Sequence, residues 1–143
     1  MITKSAESNE DFLNLLKKWR GIERSTINMT DKTMMKIDNP LILALMDTIK
    51  RDSEKHKEIL GLIIDGLEGT TVITHEDMGA LTHFIEKHAE IEKNSVEIAE
   101  QALSKVRTAL PKFLLTYLLT DEKKHDLIMD GLAELKAKIM TPG

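Results

Sequence analysis

Shifted by 69 residues, this sequence overlays itself, and that self-similarity limits the fold more than any other feature. Phe12 meets Leu81, Leu15 meets Phe84 and Lys18 meets Lys87. Ile22-Glu23-Arg24 meets Ile91-Glu92-Lys93, Leu45 meets Leu114, and Ile49 meets Leu118. Asp52, Lys55 and His56 meet Asp121, Lys124 and His125, and Ile59-Leu60 meets Ile128-Met129. No gap is needed from residue 12 to residue 63. Two amphipathic helices share apolar positions partly by chance, because both repeat about every 3.6 residues. That period does not explain Asp, Lys and His recurring at fixed places. The chain reads as two helical hairpins related by a pseudo-twofold axis.

Breakers are few, with 7 Gly and 3 Pro in 143 residues, so each half has room for two long helices. The first is predicted to start near Ser8, which can cap it, with Glu10 and Asp11 in its first turn. Phe12, Leu15, Leu16, Trp19 and Ile22 then recur at three and four. Thr26, Thr30 and Thr33 weaken local propensity. Asn39 followed by Pro40 reads as the cap and first residue of the second helix. Its inward set includes Leu45, Ile49, His56, Ile59, Leu60 and Ile63, and it stops at Asp65-Gly66-Leu67-Glu68-Gly69. Thr70 to Ile73 reads as an extended connection. The third helix starts around Thr74, with Glu76 and Asp77 in its first turn, and carries Leu81, Phe84, Ile91 and Leu103 inward. Pro111 fits the first turn of a fourth helix carrying Leu114, Leu118, Glu122, His125, Ile128, Met129, Leu132 and Leu135. The expected unit is a single all-α domain over residues 8–140, with hairpins at about 8–66 and 74–135.

Composition removes several classes of function. There is no Cys, hence no disulfide, thiolate ligand or iron–sulfur cluster. A net charge of −4 with interspersed signs argues against a nucleic-acid partner, which needs a concentrated basic face. The longest apolar run, Phe113 to Leu119, is too short to span a bilayer, so no membrane partner is expected. The first residues lack an apolar core segment, which predicts no leader and a cytoplasmic location. No Gly-rich phosphate loop or nucleophile elbow is present.

What remains is an unusual set of polar residues on the predicted inward faces. Glu122 and His125 are three apart and project from one face of one helix. A carboxylate and an imidazole aimed at an apolar interior are costly unless something there needs them, and a metal ion is the common reason. The repeat supplies the rest of the set: Glu23 matches Glu92, and His56 matches His125. Thirty residues separate Glu92 from Glu122 and Glu23 from Ser53, so a helix folding back brings these heights together. Two facing hairpins would gather Glu23, His56, Glu92, Glu122 and His125 around one point.

At these residues the chain resembles the ferritin-like superfamily, the rubrerythrin-type di-iron or di-manganese bundles, over roughly residues 8–140. The resemblance implies a Glu on helices one and three and a Glu-x-x-His on helices two and four. Glu23 and Glu92 would be the single glutamates, and Glu122-Lys123-Lys124-His125 is a full match. Helix two departs, because it reads Ser53-Glu54-Lys55-His56. Glu54 points about 100° away from the Ser53 direction and cannot simply replace the missing glutamate. Asp52, four before His56, is a candidate substitute, or an outer group fixing the histidine tautomer. His88, four before Glu92, and Tyr117, five before Glu122, rank behind these residues.

The implied function is a metal-binding protein, holding iron or alternatively manganese or zinc, that acts as an oxidoreductase on O2 or peroxide. Hard carboxylates with imidazoles suit those ions rather than Cu(I). The alternative is a metal-free bundle that serves as a structural or interaction module. The resemblance also implies a homodimer through outer faces of helices one and two, where Trp19, Met34 and Met35 lie. Ferritin-like bundles need a long crossover between helices two and three, and residues 66–74 span roughly 30 Å at most. An up-down-up-down bundle therefore stands beside the crossover topology.

Overall fold

In a computed structural model that describes residues 4–67, 69 and 73–140, every long element is an α-helix. They are α1 (Lys4–Met34), α2 (Pro40–Leu67), α3 (His75–Lys105) and α4 (Ala109–Met140). The helices pack as two hairpins, α1 on α2 and α3 on α4, the pair of units of which a ferritin-like four-helix bundle is composed. The chain divides into two compact units, Met1–Val72 and Ile73–Gly143, and each is described by itself. The extended connection expected at Thr70–Ile73 and the tail at 141–143 lie largely outside the described residues. No described helix is long and apolar enough to cross a membrane.

Helix α1 starts a turn earlier than Ser8, so Ser8 lies inside the helix rather than capping it. Its threonine-rich second half is helical despite low propensity, and there each hydroxyl bonds back one turn. Thr26 Oγ1 donates to the Ile22 carbonyl at 3.1 Å, Thr30 to Thr26 at 2.6 Å and Thr33 to Met29 at 2.9 Å. The exit tightens, with Lys36 N–H on Thr33 O at 3.0 Å and Ile37 N–H on Met34 O at 3.2 Å. Asn39 caps α2 as its sequence predicts: its Oδ1 accepts from the amides of Leu41 at 2.9 Å and Ile42 at 3.2 Å. Pro40 then fills the first position, where no donor is needed. Beyond α2, Gly69 takes φ +79°, a left-handed conformation that glycine adopts without strain. Thr74 caps α3 in a capping box: its hydroxyl accepts from Asp77 N–H, and Asp77 returns a carboxylate to Thr74 N–H. Pro111 sits in the first turn of α4.

Both hairpins are antiparallel. In the N-terminal one, Leu16, Leu60 and Ile64 form a buried cluster flanked by Leu13, and Lys50 reaches Asp31 at 2.7 Å further along. In the C-terminal one, Met78, Leu119 and Met129 are buried, and Lys123 lies 4.0 Å from Glu100. Leu60 and Met129, equivalent by the repeat, are buried alike.

The expected inward stripes are only partly covered. The seam of α2 takes Ser53, Leu60 and Ile64, while their neighbours Ile59 and Ile63 are exposed. On α4 the seam takes Leu119 and Met129, while Leu118 and Ile128 are exposed. On α1 and α3, Leu15, Ile22, Phe84 and Ile91 are exposed as well. The reason is geometric. In a hairpin each helix has one neighbour and buries one row of side chains, whereas these helices carry two adjacent apolar rows.

Candidate metal centre

The seam carries polar residues at matching heights in each hairpin. In the N-terminal hairpin, α1 presents Glu23, which is buried, and α2 presents His56, which is half exposed. Glu23 Oε1 lies 3.5 Å from His56 Nδ1. In the C-terminal hairpin, α3 presents Glu92 and α4 presents His125, with Glu92 Oε2 3.6 Å from His125 Nδ1. The internal repeat is therefore also a repeat of geometry. Both contacts are an oxygen on the first helix of a hairpin facing the same ring nitrogen on the second.

The two pairs differ in what surrounds them. Glu122 joins Glu92 and His125, and one donor atom from each lies within 4.8 Å of the others. Glu92 and Glu122 are half-buried and His125 is exposed. Among the described residues, Glu23, His56 and Asp52 do not form a second such cluster. At the place of Glu122, α2 has Ser53, buried and uncharged. Asp52 is half-buried on α2, and its repeat equivalent Asp121 lies 3.7 Å from Lys124.

Trp19 is a residue that periodicity alone misassigns. Counted with the apolar stripe, it is half exposed, and its indole N–H donates to Glu23 Oε1 at 3.2 Å. The signal is the spacing of one turn between Trp19 and Glu23, which places a donor beside the carboxylate. His88 holds the equivalent place one turn before Glu92. It packs instead on Phe84, ring centroids 4.6 Å apart and planes tilted by 40°. Glu92 Oε2 is left buried with no hydrogen bond, and Asp126 Oδ1, next in sequence to His125, is in the same condition.

A buried carboxylate oxygen without a donor is costly, and two carboxylates in one small volume repel. A divalent cation would remove both costs, since two carboxylates bring the −2 that balances it. The donor set of two carboxylates and one imidazole suits Fe, Mn or Zn. The residues present therefore fit a metal of the kind the resemblance implies, and they do so within the C-terminal hairpin. The chain matches no protein-family model, no curated protein and no solved structure. The functional reading rests on the fold, which is consistent with the ferritin-like superfamily in general, and on this cluster.

Proposed function

We propose that this protein is a metal-binding helical protein of rubrerythrin-like type, with Glu92, Glu122 and His125 as its ligands. The observation that carries the reading is the unbonded Glu92 Oε2 facing an imidazole, in a cluster with a second carboxylate. Iron is the proposed ion, with manganese or zinc as the alternatives allowed by the same donors. A bound iron or manganese ion would supply one-electron transfer to O2 or peroxide, the chemistry of an oxidoreductase.

The chain's own residues account for the binding. Glu92 on α3 and Glu122 on α4 clamp from the two helices of one hairpin, so uptake of an ion ties those helices together. His125 would contribute an imidazole nitrogen, so the anionic ligands of the cluster are the two glutamates. Leu119 and Met129, buried one turn to either side of the Glu122–His125 segment, keep part of its surroundings apolar. Lower local dielectric strengthens the attraction between a cation and these carboxylates.

Anaerobic loading with Fe(II) or Mn(II), followed by gel filtration and elemental analysis, tests this directly. A stoichiometric ion in the wild-type chain and none in Glu122→Ala is the expected result. Uptake well below stoichiometric in the wild type ends the reading.

A second reading has its own observation. Leu15, Ile22 and Met29 on α1, and Ile49, Ile59 and Ile63 on α2, are all exposed. Contiguous apolar rows of this kind mark association surfaces. They favour a helical interaction module, and exposed Trp19 and Met35 lie where the resemblance implies a homodimer contact. Sedimentation of the metal-free protein checks it, and a monomer at high concentration removes the dimer.

A further inference from the structure

We infer that the N-terminal hairpin is a closed counterpart of the candidate metal centre, in which Trp19 and Ser53 keep metal off Glu23 and His56. Combined with the metal-binding reading of the C-terminal cluster, on which the count rests, the chain takes up one divalent ion rather than two.

Three observations carry this. First, the Glu23 oxygen nearest the imidazole, the one an ion shared with His56 would meet, is already engaged. Oε1 accepts from Trp19 Nε1 at 3.2 Å, and the same atom faces His56 Nδ1 at 3.5 Å. Indole N–H is a donor only and cannot serve as a ligand. An ion placed on that oxygen would compete with the indole N–H for its lone pairs and gain no ligand from Trp19. Second, Ser53 stands where Glu122 stands in the other half, and it is buried. A short neutral hydroxyl replaces a carboxylate, so this half offers a cation one carboxylate where the other half offers two. Third, the C-terminal half shows the same scaffold without the closure. His88, at the Trp19 position, packs on Phe84, and Glu92 Oε2 has no hydrogen bond. The hairpins share the carboxylate–imidazole contact and differ at the two positions that decide whether a cation is wanted.

The test reopens the closed half. Trp19→Phe keeps an aromatic ring and removes the N–H, and Ser53→Glu restores the second carboxylate. Equilibrium dialysis against Mn(II), with circular dichroism to check helicity, counts ions per chain. The expected result is that the Trp19→Phe/Ser53→Glu double variant binds one more Mn(II) than the wild type. His56→Ala in the otherwise native chain is expected to keep the wild-type count. A helical double variant with no added ion overturns the inference, as does a wild-type count of two or loss of an ion in His56→Ala. Should a glutamate at the buried position unfold the hairpin, Ser53→Asp with Trp19→Phe is counted in its place, with the same two outcomes. Failure of the two readings is distinguishable. A wild-type chain that takes up no Mn(II) removes the C-terminal centre, while an ion gained by the double variant still sustains the closure at Trp19 and Ser53.

Discussion

In the N-terminal hairpin Glu23 faces an indole N–H and an imidazole, whereas in the C-terminal hairpin Glu92 faces an imidazole and a second glutamate. Both glutamates sit on the first helix of their hairpin, and both meet a histidine on the second. The difference shows that an inward carboxylate is not by itself a metal signature. What matters is whether the protein already supplies its donors. Trp19 does so for Glu23. Around Glu92 the protein supplies further negative charge instead, and one carboxylate oxygen stays buried without a bond. Such an arrangement is stable when a cation belongs in it and costly when none does.

That contrast is sharpened most by removing Glu122. Glu122→Ala is expected to weaken Mn(II) binding at least about 100-fold, the upper end of what changes outside the ligand shell cost. Without metal, the same change is expected to leave the melting temperature unchanged or higher, because a repelling charge is gone. Calorimetric titration and thermal melts of the metal-free protein measure the two effects. A variant that binds Mn(II) like the wild type would place the ion elsewhere and break the comparison.

The next effect compares the seams. Leu60 and Met129 occupy equivalent places in the repeat and are 3% and 5% exposed. Truncating either to Ala is expected to cost about 2–5 kcal/mol, the range for buried Leu or Met. Ile59 and Ile128, one residue earlier, are 45% and 49% exposed. Changing them to Ala is expected to shift stability by no more than about 0.5 kcal/mol in the monomer. Urea unfolding of the four variants reads this out. Large losses at Ile59 or Ile128 that grow with protein concentration would show those rows covered by a second copy.

Much of this architecture was legible before any coordinates. Helix existence followed from apolar spacing and few breakers, and the caps at Asn39 and Thr74 followed from residue type. The thirty-residue spacing from Glu92 to Glu122, with the matched histidines, placed these residues at one height of a hairpin, and within the hairpins Glu23 lies near His56 and Glu92 near His125. The choice of seam was not legible. Ile59 and Leu60, Ile63 and Ile64, and Leu118 and Leu119 are adjacent apolar pairs about 100° apart on a helix, and either row could have faced the neighbour. Ser8 failed as a cap because residues after Lys4 already sustain a helix. Trp19 was hidden for another reason. Scales that score it as apolar omit its N–H, and that donor is, with Ser53, one of two differences between the halves of the repeat around their glutamates.

An effect smaller than truncating the buried seam also sets the hairpins apart. The described start of the C-terminal hairpin is locked by the Thr74–Asp77 capping box. Thr74→Ala is expected to cost about 1 kcal/mol, the usual loss for a threonine cap. Hydrogen exchange should show that loss in the first turns of α3 and leave α1 and α2 protected as before. The box also carries a pH dependence whose sign follows from its chemistry. Hydrogen bonds from the Thr74 backbone and side chain hold the Asp77 carboxyl below its ordinary value. A group whose folded pKa is depressed contributes stability that is complete above its unfolded value, about 3.9, and is lost as pH falls through the folded one. Acid titration of α3 protection should therefore show a loss below about pH 4 that Asp77→Asn removes. An unchanged acid profile in Asp77→Asn would mean that the aspartate's charge contributes nothing to the cap, and Thr74 alone would then distinguish the start of this hairpin.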